Sequence, residues 1–351
     1  MIVALDATPL TVSTGGVMRY TLELSRALSA NYPSDEYWLL SDQAFEIPNA
    51  ANLHKGDGPR TAAERRWWLW GLNREMIRRK VEVFHGTDFS VPYIPRRPSV
   101  MTVHDLSPWL TKELTKETSR DASSRVRRRV PVLLRAHIPT MIITPSEAVR
   151  RAAIARFGID QERVVAVPLA ASDHFRPVAD VAPARPYFLF VGTLERRKNI
   201  DRLIEAWREV RKSQDVDLVL AGRARDDFAM PAPEPGLRIW GAVGEEELPA
   251  LYSSAVACVY PSLYEGFGLP VLEAMQCGAT VITSRDPAIM EVSGGAAIHV
   301  DATDVRALAE AMRARPVRRE ESLKRAALFS WASTARKTRE VYDAARRIFS
   351  K

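Results

Sequence analysis

Cysteine is almost missing from this chain of 351 residues: Cys258 and Cys277, both in apolar segments, are the two it has. A disulfide-stapled scaffold is thereby disfavoured, and buried reduced thiols in a cytoplasmic protein are the expectation. No apolar run approaches the roughly 18–20 residues that a membrane-spanning helix needs. Met1-Ile-Val-Ala-Leu-Asp6 has no basic flank and no cleavage signature, so no signal peptide is expected there. There is no G-x-G-x-x-G, which disfavours a nicotinamide cofactor, and no P-loop. His54, His137, His174 and His299 join no Cys/His cluster of zinc spacing. No D-x-D stands beside an expected strand end, since Asp215-Val-Asp217 begins a strand instead. The expected chemistry is therefore metal-independent, without a bound cofactor. No nucleic-acid-binding module, short-period repeat or low-complexity tract is visible, and no nucleic-acid partner is expected.

What is there describes a globular protein of two domains: 46% hydrophobic and 26% charged residues. The net charge of +7 is unevenly placed. Seven Arg/Lys between Arg60 and Lys80 face only Glu64 and Glu75, and six Arg between Arg120 and Arg135 face only Asp121. Such stretches attract anionic lipid headgroups or phosphorylated substrates.

Apolar runs of strand length alternate with helix-like segments, the pattern of parallel sheets in an α/β fold. Strands are expected at Ile2–Asp6, Tyr37–Leu40, Val81–His85, Ser99–His104, Met141–Thr144 and Val164–Val167. A second series follows at Tyr187–Val191, Val216–Ala221, Leu237–Trp240, Val256–Tyr260 and Thr280–Thr283. Between them Pro168, Pro177, Pro183 and Pro186 fall within nineteen residues and read as a linker over 169–186. The expected architecture is two doubly wound, Rossmann-like domains facing across a cleft, 1–168 and 187–330. A polar helix over Trp331–Phe349 closes the chain.

In open parallel sheets ligands bind outside the carboxyl ends of the strands. That rule selects Gly15 and Gly16 after the first strand, His85, His104 with Asp105, Gly192 with the following Thr193-Leu-Glu-Arg-Arg-Lys-Asn199, and Glu265. Glycines at Gly15-Gly16 let backbone approach a ligand at a helix start. Arg197 and Lys198 precede a helix that Asn199 is placed to cap, and they suit a diphosphate leaving group; Arg196 reads equally as a solvated neighbour. His104 suits a general base or a partner for a sugar hydroxyl, against the reading of a histidine satisfied by backbone; for His85 the two readings stand level. The richest stretch is Ser262-Leu-Tyr-Glu-Gly-Phe-Gly-Leu-Pro-Val-Leu-Glu-Ala-Met275. Glu265 and Glu273 are separated by seven residues that include a glycine-rich turn and Pro270, a helix opening that places Glu273 on the first turn. Carboxylates for sugar hydroxyls beside unpaired amides for phosphate oxygens suit a sugar nucleotide. Two solvated glutamates at an ordinary helix start are the competing reading.

Glu265-Gly-Phe-Gly-Leu-Pro-Val-Leu-Glu273 resembles the E-x7-E element of the retaining GT-B glycosyltransferases of family 4, many of which build bacterial polysaccharides. Gly241-Ala-Val-Gly-Glu-Glu-Glu-Leu-Pro-Ala-Leu-Tyr252, Phe190-Val-Gly-Thr-Leu-Glu-Arg-Arg-Lys-Asn199, Gly15-Gly16 and Thr102-Val-His-Asp105 extend the likeness over nearly the whole chain. The resemblance implies that Glu265 contacts the donor sugar, with Glu273 on the nucleotide ribose and Lys198 and Arg197 on the diphosphate. Amides from Gly266, Phe267, Gly268 and Leu269, with Thr193, Gly15 and Gly16, would hold sugar and phosphate. Ala242 and Val243 would face the base, and His104 the sugar or the acceptor. Where many members carry Arg after the glycine, this chain has Thr193, as in the mannosyltransferase-like members that read Gly-Thr-Leu-Glu-x-Arg-Lys-Asn. That departure tilts the donor towards GDP-mannose, ahead of other NDP-hexoses. The resemblance further implies an N-terminal acceptor domain onto which the final helix, 331–351, packs back. It also implies a glycan or polyprenyl-diphosphate-linked saccharide as acceptor. Arg65-Arg-Trp-Trp-Leu-Trp70, continuing to Lys80, suits peripheral contact with the inner face of the membrane, against the reading in which its tryptophans pack internally. An epimerase or phosphorylase of the same fold, or a non-catalytic sugar-nucleotide-binding partner, is the alternative.

Overall fold

A computed structural model describes the chain except residues 13–14, 111–121, 180–182, 226–227, 316 and 351. Thr14 of the glycine turn, Arg120 and Asp121 of the second basic stretch, 180–182 of the expected linker and Lys351 lie outside the described residues. The chain divides into two compact units. The first takes the residues up to Trp109, those from the helix Ala122–Arg135 to Leu169, and those from Ser330 on; the second takes Ala170–Phe329.

Among the described residues the first unit is built on β1 (Ile2–Asp6), β2 (Glu36–Leu40), β3 (Leu53–Lys55), β4 (Val83–Gly86), β5 (Ser99–Thr102), β6 (Met141–Thr144) and β7 (Val164–Ala166). They form one parallel sheet in the order β3-β2-β1-β4-β5-β6-β7, with Val3 beside Tyr37 on one side and Val83 on the other. The second unit repeats the plan with β8 (Tyr187–Val191), β9 (Asp217–Ala221), β10 (Leu237–Gly241), β11 (Ala257–Tyr260), β12 (Val281–Ser284) and β13 (Ile298–Val300), in the order β10-β9-β8-β11-β12-β13. Each is a doubly wound α/β sheet, and its order reverses beside its first strand. The crevices for ligands therefore lie at the carboxyl ends of β1 and β4, and of β8 and β11. Sheets covered on both faces need strands that are apolar throughout, which is why Tyr187-Phe-Leu-Phe-Val191 is buried at every position.

The two strands absent from the sequence expectation, β3 and β13, are edge strands of three residues, each with a central histidine, His54 and His299. So short a run carries no periodicity to read. The expected linker is also more than a tether. Ala170, Ala171 and Phe175 are buried on the second unit, Phe175 packs edge-on against Tyr252 at 6.1 Å, and the Gln276 amide donates to the Ser172 and Phe175 carbonyls.

The final helix, Trp331–Phe349, packs on the first unit. Tyr342 meets the ring of His85 at 2.7 Å, Arg339 binds Asp35 at 2.6 Å, Arg346 binds Glu82 at 2.7 Å, and Thr334 donates to the Pro168 carbonyl. The tryptophan-rich segment splits. Trp67 is buried with Ala4, Leu40, Leu72 and Phe84, and Trp68 packs against that cluster, whereas Trp70 stays exposed.

One glycine fixes where the second unit presents its loops. Gly222 follows β9 at φ +153°, and a Cβ there would lie 1.9 Å from the Gly192 carbonyl oxygen, at the root of the loop that carries Arg197 and Lys198. Gly222→Ala should therefore cost roughly 2–4 kcal/mol, combining backbone strain with a clash against main chain. A urea-unfolding midpoint equal to that of the wild type would show that the two loops part without cost.

Candidate active site

At the carboxyl end of β8 the chain passes through a short turn, Arg196–Lys198, and at the end of β11 it reaches Glu265. These two strands are neighbours, so the turn and the glutamate loop are held side by side, with the Leu263 amide bonded to the Arg197 carbonyl at 2.8 Å. The side chains then converge. Lys198 Nζ binds Glu265 Oε1 at 2.5 Å and donates to the Tyr260 hydroxyl at 2.6 Å. Arg197 binds Glu265 Oε2 and the Tyr264 carbonyl, each at 3.1 Å, and Glu195 at 2.8 Å.

Lys198 and Glu265 are both nearly inaccessible, at 5% and 6% exposed. Burial alone would push the Glu265 carboxyl up, but Lys198 and Arg197 outweigh it and hold the group down at about 2. Burial pulls Lys198 below the ordinary lysine value, against the opposing pull of Glu265. Lys198, Arg197 and Arg225, which binds Glu195 at 3.5 Å, face the two carboxylates of Glu265 and Glu195, and one positive charge is left in excess where water screens little. Asp286 supports it from below. One carboxylate oxygen accepts the Glu265 amide at 3.2 Å while the other caps the helix Pro287–Ser293. Burial raises Asp286 to about 6 despite these bonds.

Gly266, Phe267 and Gly268 are buried between Glu265 and the helix Leu269–Gln276, whose half-buried first residue is Leu269. At that helix start Pro270 has no N–H and the Val271 and Leu272 amides bond to the Gly268 carbonyl, so the backbone amides that could meet an anion are those ahead of Pro270. Glu273 is the fifth residue of the helix, past the first turn where the sequence expectation put it, because the helix begins ahead of Pro270. It does not join the Lys198 cluster by any described contact. It is 1% exposed and accepts from the Tyr252 hydroxyl at 3.2 Å. Asn199 also departs from expectation: it stands at the start of the helix Ile200–Arg211 without capping it, and its amide donates to the Pro261 and Ala302 carbonyls. Thr193, Arg196 and Ala242 are exposed, and Val243 is half-buried beyond the end of β10.

In the first unit Gly15 and Gly16 are exposed at the start of the helix Gly16–Asn31. They line a cavity of about 420 Å³ together with Asp6, Thr8, Asp88 and Ser90. Asp6 is buried and accepts the amide and hydroxyl of Thr8. Burial raises its carboxyl to about 7, against those bonds and with help from nearby Asp88. Asp88 is raised as well, by burial first, with Asp105 adding to it and His104 opposing it. His104 lies two residues beyond β5 rather than in it, and its Nε2–H donates to the Thr87 carbonyl at 2.6 Å. A carbonyl can only accept, so Nε2 carries a proton. His85, for which the two readings stand level in the sequence, follows the structural one. It sits inside β4, fully buried, bonded to Tyr342 and to Thr102 at 2.7 Å each, and burial drives it down to about 3. Its role is structural.

Sequence reasoning passed over Tyr260, Asp286, Glu195, Asp6 and Asp88. Three carried a readable signal: Tyr260 and Asp6 end expected strands, and Asp286-Pro287 has the form of a helix start. Glu195 and Asp88 gain meaning only from what lies across from them. Among the described residues no group of His, Cys, Asp and Glu is arranged to hold a metal ion.

Residues 14–175 match the family model described as Glycosyltransferase Family 4, and residues 185–314 the model described as Glycosyl transferases group 1. The O-antigen chain mannosyltransferase B of Escherichia coli is 30% identical over 95% of this chain and 97% of its own length. An MMP alpha-(1->4)-mannosyltransferase of Mycolicibacterium hassiacum is 30% identical over 64% of this chain and 57% of its own. Two solved structures share the fold: the sucrose-phosphate synthase of Thermosynechococcus elongatus and Anabaena HepE in complex with UDP-glucose. The first has a TM-score of 0.75 at 21% identity, covering 99% of both chains. The second has 0.69 at 15%, covering 98% of this chain and 99% of that one.

The buried pair makes a sign-specific prediction. Glu265 titrates near 2 in the folded chain against 4.5 ordinarily, so its contribution is complete above about 4.5 and disappears as pH falls towards 2. Glu265→Gln takes from the buried Lys198 its carboxylate partner, while Arg197 keeps Glu195, and should lose about 3–5 kcal/mol at neutral pH. Its stability should also lack the extra acid-induced fall of the wild type over that window. Parallel acid-unfolding curves for the two proteins would reject the assignment.

Proposed function

The chain belongs to the family 4 glycosyltransferases, and on that footing we propose that it transfers mannose from GDP-mannose, with retention of configuration and without a metal. The acceptor in this reading is a glycan or polyprenyl-diphosphate-linked saccharide of bacterial polysaccharide biosynthesis. One observation carries the chemistry: Lys198 and Arg197 gathered on Glu265 at the switch point of the second sheet. The mannosyl choice is supported by two relatives named as mannosyltransferases.

In this mechanism the GDP diphosphate lies against Lys198, Arg197, Thr193 and the amides of the 266–269 turn. As the bond from sugar to phosphate breaks, negative charge gathers on the leaving oxygen, and cations already held in place stabilise it without rearranging. Glu265 orients the sugar hydroxyls and keeps the two cations in position. Glu273 serves the ribose, and Ala242 with Val243 faces the guanine. The acceptor hydroxyl attacks from the face that the diphosphate leaves, and a departing phosphate oxygen takes its proton. No protein carboxylate is then required as a covalent nucleophile. Gly15 and Gly16 offer backbone to the ligand, Asp6 and Asp88 accept hydroxyls in the first-unit cavity, and His104 Nδ1 accepts from the sugar or the acceptor. Peripheral membrane contact through Arg65–Lys80 brings the protein to a lipid-borne acceptor.

Lys198→Ala should lower kcat by roughly 10²–10³-fold, the effect of losing one preorganised partner for a developing oxyanion. Turnover close to the wild type would reject the role of Lys198. Among GDP-, UDP- and dTDP-sugars, GDP-mannose should give the largest thermal shift, a gain of about 2.7 kcal/mol at a hundred times its Kd. GDP should be released at an appreciable rate only with acceptor present, the product should be an α-mannoside, and EDTA should leave turnover unchanged. Preference for another sugar nucleotide, or a need for added metal, would displace the corresponding part of the reading.

A further inference from the structure

The two arginine-rich stretches of the sequence meet on the first unit. The Tyr93 amide donates to the Trp68 carbonyl at 2.9 Å, the Asn73 side chain donates to the Ile94 carbonyl at 3.2 Å, and Arg129 donates to the Tyr93 hydroxyl at 3.3 Å. The segment around Tyr93 therefore stitches the helical stretch 67–78 to the helix Ala122–Arg135.

Each partner shows solvent a stripe of the same composition. Arg66, Trp70, Arg74 and Ile77 recur at helical spacing and are all exposed; so are Arg125, Arg128, Val132 and Arg135. Trp70 is 43% exposed, Ile77 48% and Val132 62%, high values for large apolar side chains. An ordinary solvated face mixes charges of both signs, whereas neither stripe carries an exposed acid, and the nearby Asp57 is taken up by Arg60 and Arg79. Glu64 and Glu75 are buried beneath the first stripe, where they bind Arg74, Arg78 and Arg79. Arg65, Arg66, Arg96, Arg97, Arg125 and Arg128 have no acidic partner among the described residues.

We propose that both stripes, joined by the exposed Arg96 and Arg97, form one docking surface for an anionic bilayer. The cations meet headgroup phosphates while Trp70, Ile77 and Val132 enter the interface. Apolar side chains set among the arginines favour a lipid surface over nucleic acid, which would be held by cations alone or with stacked bases. The membrane contact proposed above for one segment thus gains a second, independent element. It shares with the proposed function the premise of a lipid-borne acceptor, but its evidence is the surface itself.

Flotation with vesicles of phosphatidylcholine, with and without phosphatidylglycerol, tests it on the full chain. The wild type should bind the phosphatidylglycerol vesicles and release them in high salt. Each arginine lost should weaken binding about fivefold, so the triple variant Arg125→Gln, Arg128→Gln, Arg135→Gln should bind roughly a hundredfold more weakly. Trp70→Ala combined with Ile77→Ala should also weaken it, and both variants should keep the wild-type thermal shift with GDP-mannose. Equal binding to pure phosphatidylcholine, undiminished binding by the triple variant, or tighter binding to duplex DNA than to vesicles would each overturn the proposal. Vesicle binding by a protein that transfers nothing from any sugar nucleotide would support the surface and remove the proposed function.

Discussion

Everything distinctive about the second unit depends on keeping two cations and a carboxylate charged out of water. An unpaired lysine in that position would shed its proton, and an unpaired glutamate would take one up. Lys198 and Glu265 hold each other ionised, and Arg197 binds the second carboxylate oxygen. Each remaining bond, from Lys198 to the Tyr260 hydroxyl and from the Glu265 amide to Asp286, satisfies a group that would otherwise be stranded. The result is positive charge fixed at the place where a diphosphate would build up negative charge.

The backbone makes that arrangement affordable in conformational terms. β8 and β11 are adjacent although far apart in sequence, so two loops with no local reason to meet leave the sheet side by side. Gly222 removes the side chain that would force the Gly192 loop away. Asp286 ties the glutamate loop to the next helix. The first unit furnishes its own switch point differently, with Asp6, Asp88 and His104 near exposed glycines. Carboxyl groups raised by burial accept from hydroxyls when ionised and donate to them when protonated. The two switch points are thus chemically unlike, one suited to an anion and the other to a polyol.

Much of this was legible in order along the chain. The central strands announced themselves as apolar runs, and the turns after β1, β8 and β11 were located by the rule that ligands lie at carboxyl ends. Edge strands β3 and β13 were not legible, since three residues with a histidine in the middle have no period. Glu273 was misplaced by part of a turn because Pro270 follows the first helical residue instead of occupying it. Asn199 has the composition of a cap but finds two carbonyls brought to it by distant loops, and these win. His85 and His104 look alike in sequence. The final helix seals one with Tyr342, and the other bonds to the Thr87 carbonyl and acts on the charge of the cavity-lining Asp88.

By itself the sequence determined the fold class, the family, and which short segments carry the chemistry, because residue type and spacing act locally: apolar period, glycine where backbone must turn, and charge where phosphate is bound. Only the tertiary structure decided which of those residues act together. It joined Lys198 to Glu265, sent Glu273 to Tyr252, withdrew His85 into the core, and stitched two arginine stripes together through Tyr93. Side-chain partnership depends on strand order and loop direction, and those follow from packing the whole sheet rather than from any window of sequence.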